Sequence, residues 1–226
     1  MIMAASALDR INILKIKDDS GHEHDNKGKF TSGGGGGKKP DKSKGRKPIG
    51  EKPRAQKPAR LSPKEQAAVE HYTSDGFLDI KSFLRGTEEF DDHKQQQLKT
   101  VIGRLDSALD KSTIPPDVKT VYRGLDHKEL YKNLSRLKGA VITDPSYAST
   151  STNVHVAEDY GSGVHGCVME ITVPNGSKGL DVNKKGLAGN KHEKEILLPR
   201  ESQFRVISTE LRGHVGYIRA ELVQAA

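Results

Sequence analysis

Residues 192–222 read HEKEILLPRESQFRVISTELRGHVGYIRAEL. Three stretches in this run have strand character: Glu193–Leu198, Gln203–Leu211 and His214–Leu222. Working back toward the N-terminus, the same short pattern recurs at Gly179–Val182, Gly166–Val173, Tyr147–Ser151 and Ala140–Ile142, with one short helix near Ala157–Tyr160. Val118–Arg123 reads as an earlier strand. Before residue 140 the pattern is mainly helical. Helices first and strands later predict an α+β fold with a largely antiparallel sheet system, not a doubly wound α/β fold.

The helical part opens with Ser62, Pro63 and Glu65, which supply an N-cap, a first-turn proline and a capping-box acid. That helix is expected to run to about Thr73 and to break at Ser74-Asp75-Gly76, with a second over about Phe77–Leu84. A longer helix, about Glu89–Lys111, carries Leu98, Val101, Ile102, Leu105, Ala108 and Leu109 on one face. Pro115-Pro116 ends it. Asp126 and Glu129 are expected to box the start of a helix whose Leu130, Leu134 and Leu137 face inward.

The chain has 226 residues, 33% hydrophobic and 30% charged, too polar for a single globule of that length. The net charge of +7 is unevenly spread: residues 27–63 carry 12 basic and 2 acidic side chains, residues 64–226 carry 22 and 23. The basic stretch contains Gly33–Gly37 and then Pro40, Pro48, Pro53 and Pro58 among lysines. Such a sequence cannot bury enough apolar area to offset the entropy of ordering it. About residues 18–60 are therefore expected to be disordered. The organisation expected is an extension over 1–60 and a folded domain over 61–226. Arg10–Lys17 alternates and could form a strand, given a partner sheet in this chain or another. The basic tail could also hold an acidic partner or nucleic acid, by electrostatics alone. The longest apolar run is Met1–Ala5, so no membrane helix is expected, and no secretory signal is apparent. The expected location is cytoplasmic. The single cysteine, Cys167, excludes an internal disulfide and a cysteine-based zinc site, and is expected to be buried and inert.

Three short motifs carry chemistry: VYRG (Val121–Gly124), YASTST (Tyr147–Thr152) and HEKEILLPR (His192–Arg200). Side chains two apart in a strand share a face. The strand reading therefore places Ser149 with Ser151, and Glu193 with Glu195, with Thr150 and Lys194 on the opposite faces. Two carboxylates on one face repel, which suits a cationic or electron-poor substrate between them. Arg123 is a fixed cation whose planar fork suits phosphate. His22, Glu23 and His24 lack the further ligands a tetrahedral metal site needs, and HEKE lacks the second histidine of a zinc-protease motif. No metal is expected.

The order arginine, Ser-Thr-Ser, Glu-x-Glu resembles the arginine-type ADP-ribosyltransferase exoenzymes. The resemblance extends over about Leu61–Leu222, through HYTSDGFLDIKSFLRG (His71–Gly86), LDSALDKSTIPPDVKTVYRGL (Leu105–Leu125), VMEITVPNGSKGLDV (Val168–Val182) and EILLPRESQFRV (Glu195–Val206). At position 81 the family often has Asn where this chain has Lys81. The loop Asn183–His192 is rich in glycine and lacks the aromatic residue often found there. Separately, GHEHDNKGKFTSGGGG (Gly21–Gly36) resembles a segment of bacteriophage head-associated proteins.

The resemblance implies N-terminal helices packed on a split, largely antiparallel β-sandwich. It implies transfer of ADP-ribose from NAD to an arginine of a host target protein, with release of nicotinamide and no metal. Glu195 would stabilise the oxocarbenium-like ribose and hydrogen-bond its 2′-OH. Glu193 would orient and deprotonate the acceptor guanidinium. Arg123 would hold the phosphates, Ser149 would support the nicotinamide ribose, and Thr150 and Ser151 would brace their strand. Gly124 would offer main-chain groups, and Tyr72 and Arg85 would complete the NAD site. Asn183, Gly186, Asn190 and His192 would form the substrate-recognition loop. Left open are NAD hydrolysis, an acceptor other than arginine, including RNA, and a virion-associated protein carrying this domain as cargo into the host cell.

Overall fold

The computed structural model describes residues 12–14, 60–183 and 191–223. The segment expected to be disordered, about 18–60, lies outside the described residues except for Arg60, and so does the His22–His24 cluster.

Helix α1 (Pro63–His71) starts as its sequence dictates. Ser62 Oγ accepts from Glu65 N at 3.4 Å, and Glu65 Oε2 accepts from Ser62 N at 2.7 Å. Glu65 does a second job with its other oxygen. Oε1 accepts from Ser107 Oγ at 2.6 Å and from Lys111 Nζ at 2.5 Å, tying α1 to α3 (Asp92–Asp110). The Lys111 contact, then Ser107 and the Ser62 backbone, lower its pKa to about 2. Helix α3 begins at an Asp91 cap and buries Leu98, Ile102, Leu105, Ala108 and Leu109, while Val101 is only partly covered.

The expected break at Ser74-Asp75-Gly76 does not occur. The chain passes through a π turn (Tyr72–Gly76) directly into α2 (Phe77–Arg85). A wider turn frees carbonyls from their usual partners, and short hydroxyl side chains can bond them. Thr73 Oγ1 donates to Val69 O at 3.0 Å and Ser74 Oγ to Glu70 O at 2.8 Å. At the start of the helix expected after Asp126, the cap differs too. Helix α4 (Lys128–Lys132) is capped by His127, whose Nδ1 accepts from Leu130 N at 3.1 Å. Asp126 instead ends strand β2 and accepts from His165 N.

Among the described residues nine strands form one sheet: β1 (Asn12–Leu14), β2 (Thr120–Asp126), β3 (Val141–Thr143), β4 (Ala148–Ser151), β5 (Gly166–Thr172), β6 (Leu180–Asp181), β7 (Glu195–Leu198), β8 (Gln203–Arg212) and β9 (Val215–Val223). Their order is β1-β3-β8-β9-β5-β2-β4-β7-β6. Every pairing is antiparallel except β5 with β9. The expected N-terminal strand finds its partner in this chain, at β3. Helix α5 (Val154–Tyr160) follows β4.

The sheet is split between β2 and β4. Strand β2 pairs with β5 from Thr120↔Thr172 through Asp126↔Gly166, but with β4 only at Tyr122↔Ser151. Beyond Tyr122 the two halves part. Ala148, Ile196 and Leu198 from one half pack with Val121, Met169, Ile171 and Ile218 from the other, giving the expected sandwich. The opposite face of β4, β6 and β7 contributes Tyr147, Leu180 and Leu197 to a second core under α1–α3. Among the described residues no helix is long and apolar enough to cross a membrane.

Glu65 gives this packing a pH signature. Its folded pKa is depressed, so its stabilisation is fully present above the unfolded value of about 4.3 and is lost as pH falls toward 2. Glu65→Gln should cost ~1–2 kcal/mol at neutral pH, the scale of a lost helix cap. Denaturant midpoints measured from pH 7 down should show the gap to the native chain closing below pH ~4.3. A gap that stays constant with pH would contradict the assignment.

Candidate active site

Two arginines from different layers meet at one carboxylate. Arg123 on β2 is 6% exposed, and its Nη2 donates to Asp144 Oδ2 at 2.6 Å. Arg85 at the end of α2 donates from Nε to Oδ1 at 3.3 Å and from Nη2 to Oδ2 at 2.9 Å. Ser146 N donates to Oδ1 at 2.9 Å. Asp144 is 1% exposed. Burial alone would raise its pKa, but Arg123 and Arg85 outweigh that and hold it below the ordinary aspartate value. Arg123 Nη1 is buried without a hydrogen-bond partner, as are the hydroxyls of Thr143 and Ser146 beside Asp144.

The Ser-Thr-Ser strand divides its labour as alternation requires. Thr150 Oγ1 donates to Ile196 O at 2.6 Å, and Ser151 Oγ donates to Glu193 O at 2.6 Å while accepting from Asn153 N. Thr150 fixes β4 against β7, and Ser151 fixes it against the turn that precedes β7. Ser149, half-buried, hydrogen-bonds Glu195 and Tyr72. Tyr72 is buried where the π turn begins, and its hydroxyl reaches Tyr147 O at 3.3 Å. Burial pushes the Tyr72 phenol well above its ordinary pKa, against the Ser149 hydrogen bond.

Glu193 and Glu195 are not neighbours on one strand face. Strand β7 begins at Glu195, and Glu193 ends a single 3₁₀ turn (Lys191–Glu193). Lys194 between them has φ +45°, a left-handed conformation that costs a side-chain-bearing residue energy. The strand rule for i, i+2 residues therefore does not apply here. The carboxylates are still close enough to interact. Burial raises the Glu195 pKa, Glu193 adds to the rise, and Ser149 and Lys81 oppose it. Tyr160 on α5, 60% exposed, donates to Glu193 Oε1 at 3.3 Å. Its phenol pKa is raised by burial and by Glu193.

Of the expected loop residues, Asn183 has a buried Oδ1 without a hydrogen-bond partner and His192 is exposed, while Gly186 and Asn190 lie outside the described residues. Gly124 has a packing explanation. A Cβ there would sit 2.0 Å from Ala157 O and 2.7 Å from Tyr160 Cβ, so glycine is what lets α5 lie on β2. Cys167 is fully buried, and burial, with Asp126, pushes its thiol up to about 12, as an inert cysteine requires. Among the described residues no group of three or more His, Cys, Asp or Glu is placed to hold a metal ion.

Sequence reasoning missed Asp144, Tyr160 and the approach of Lys81 to Glu195. Asp144 opens an Asp-Pro-Ser run, which reads as turn chemistry. Tyr160 ends a short helix, where an aromatic residue is unremarkable.

The chain is 32% identical over 152 residues to the NAD(+)–arginine ADP-ribosyltransferase EFV of Enterococcus faecalis, covering 66% of this chain and 29% of that protein. It is 24% identical over 150 residues to an NAD(+)–arginine ADP-ribosyltransferase of Enterobacteria phage T2, covering 62% and 21%. This chain therefore matches less than a third of the length of either relative. Among solved structures it resembles the ADP-ribosyltransferase Vis of Vibrio splendidus in complex with agmatine, at 28% identity and a TM-score of 0.58, covering 73% of this chain and 76% of that one. Residues 47–223 match the sequence model of the ADP-ribosyltransferase exoenzymes, and the chain belongs to that family.

Proposed function

We propose that this chain transfers ADP-ribose from NAD to an arginine side chain and releases nicotinamide, with residues 61–223 as the catalytic unit. The observation that carries the reading is three unlike groups on the two sides of the split between β2 and β4. They are a buried arginine N–H without a partner, a carboxylate of raised pKa, and a second carboxylate beside it. The named relatives of Enterococcus and phage T2 support the choice of arginine as acceptor.

The residues fit NAD. Arg123 Nη1 is a buried donor that a phosphate oxygen would satisfy, and Arg85 shares the same carboxylate. Ser149 lies beside Glu195 and favours its charged form against burial. During reaction the bond from the ribose anomeric carbon to the nicotinamide nitrogen breaks, and the electron pair leaves with nicotinamide. Glu195 would then face the growing positive charge, which a fixed carboxylate stabilises. An acceptor guanidinium nitrogen forms the new bond and loses a proton, which Glu193 takes. Tyr160 holds Glu193 by a hydrogen bond and offers an exposed ring at the mouth of the site.

The phage T2 and T6 relatives, each 24% identical, suit a reading in which a phage-encoded enzyme meets its target inside a host cell. Packaging in the virion through residues 1–60 is part of the same proposal.

Glu195→Gln keeps size and removes charge. NAD cleavage should fall at least ~100-fold in a folded protein, with or without an acceptor. Near-native hydrolysis by that variant would remove Glu195 from its role.

Glu193→Gln should separate the reactions. Transfer to an arginine-rich acceptor should collapse while hydrolysis continues, because water needs no deprotonated guanidinium. It also removes a like charge from Glu195, whose pKa is raised. Hydrolysis in the native chain should fail on acidification at a pH above the ordinary glutamate value of about 4.3, and the variant's acid limb should move lower. Free ADP-ribose and labelled acceptor, measured together across pH, test both. An equal fall in the two activities would assign Glu193 to the NAD site instead.

A further inference from the structure

In the Arg85–Asp144–Arg123 cluster two arginines meet one buried carboxylate, and one N–H of Arg123 is left over. Two guanidinium groups, both nearly dry, share a single carboxylate. All of that carboxylate's capacity is used: Oδ1 accepts from Arg85 and Ser146 N, and Oδ2 accepts from Arg85 and Arg123. It cannot also satisfy Arg123 Nη1, which stays buried and unpartnered. A buried guanidinium N–H without a partner calls for an acceptor, and an anion also suits its charge. The two arginines come from separate elements, α2 and β2, and would repel each other without the group between them.

We propose that Asp144 is a positioning residue for NAD binding: it locks Arg85 and Arg123 into one fork, and so aims Arg123 Nη1 at the diphosphate. The inference rests on the NAD reading above. Asp144 itself does not meet the ligand's reacting atoms. Its effect passes through the arginines. Arginine is suited to this, because a planar guanidinium held by one edge presents its other N–H groups in a fixed direction. The diphosphate is held alike before and during bond breaking, so the effect falls on binding and not on the chemical step.

The test uses NAD hydrolysis by the full chain, comparing the native protein with Asp144→Glu, which keeps the charge and shifts it by one methylene. Asp144→Asn is a second variant that keeps the shape and removes the charge. The KM for NAD should rise at least tenfold in Asp144→Glu, with kcat within about threefold of native. Inorganic pyrophosphate, which carries only the diphosphate, should lose potency as an inhibitor in the same proportion. Nicotinamide, which carries no phosphate, should inhibit as before. Asp144→Asn should show the same pattern, more strongly, in whatever fraction folds, since KM does not depend on the amount of active protein. A residue that merely supports the fold would lower the melting temperature and the apparent kcat, leaving KM and pyrophosphate inhibition unchanged, and that result would overturn the proposal. If the native chain neither cleaves NAD nor binds it, the NAD reading falls and this inference with it. If native cleavage is intact and the variants keep native KM, only the role of Asp144 falls.

Discussion

Burying a guanidinium is costly unless its charge is answered, and this fold buries two of them at one point. Asp144 answers both. Its carboxylate joins α2 of the helical layer to β2 of the sheet, from the turn that leads into the Ser-Thr-Ser strand. Three segments far apart in sequence are thereby held in one register. Removing one member of such a cluster typically costs about 3–5 kcal/mol, because the remaining charges are left buried. The cluster therefore constrains the fold and the candidate site together.

Around this point the sheet supplies the opening. Strands β2 and β4 are joined at Tyr122↔Ser151 alone, so Arg123 lies just past the place where the halves diverge. On the other side of the split, Thr150 locks β4 to the β7 backbone and Ser151 locks it to the backbone of the turn before β7. That bracing leaves Ser149 free to meet Glu195. The left-handed Lys194 turns the chain before β7 and carries Glu193 off the strand toward Tyr160. On the proposed reading, the two glutamates serve different partners, and their unlike surroundings suit that division. One is drawn into the protein beside Ser149. The other is tied to a phenol at the rim.

Much of this was legible in the residues. The Ser62/Glu65 box, the apolar face of α3 and the succession of short strands follow from local chemistry and periodicity. The order of arginine, Ser-Thr-Ser and Glu-x-Glu pointed to the candidate site because each motif rests on short-range spacing. What escaped was set by tertiary contact. The π turn at Tyr72–Gly76 is held by the hydroxyls of Thr73 and Ser74, which in sequence read as a helix break. His127 caps α4 in place of an acid, through a ring nitrogen. Glycine at 124 reads as room for a ligand, but α5 fills that room. Asp144 is invisible to any local rule, because its partners lie 21 and 59 residues away.

The central claim is transfer of ADP-ribose to a guanidinium. The most direct measurement incubates the native chain with NAD and agmatine, a small guanidinium compound, and follows the products by mass spectrometry. The account predicts a product with ADP-ribose bonded to the agmatine guanidinium, formed together with free nicotinamide. Nicotinamide and free ADP-ribose with no agmatine adduct, at saturating agmatine, would contradict it.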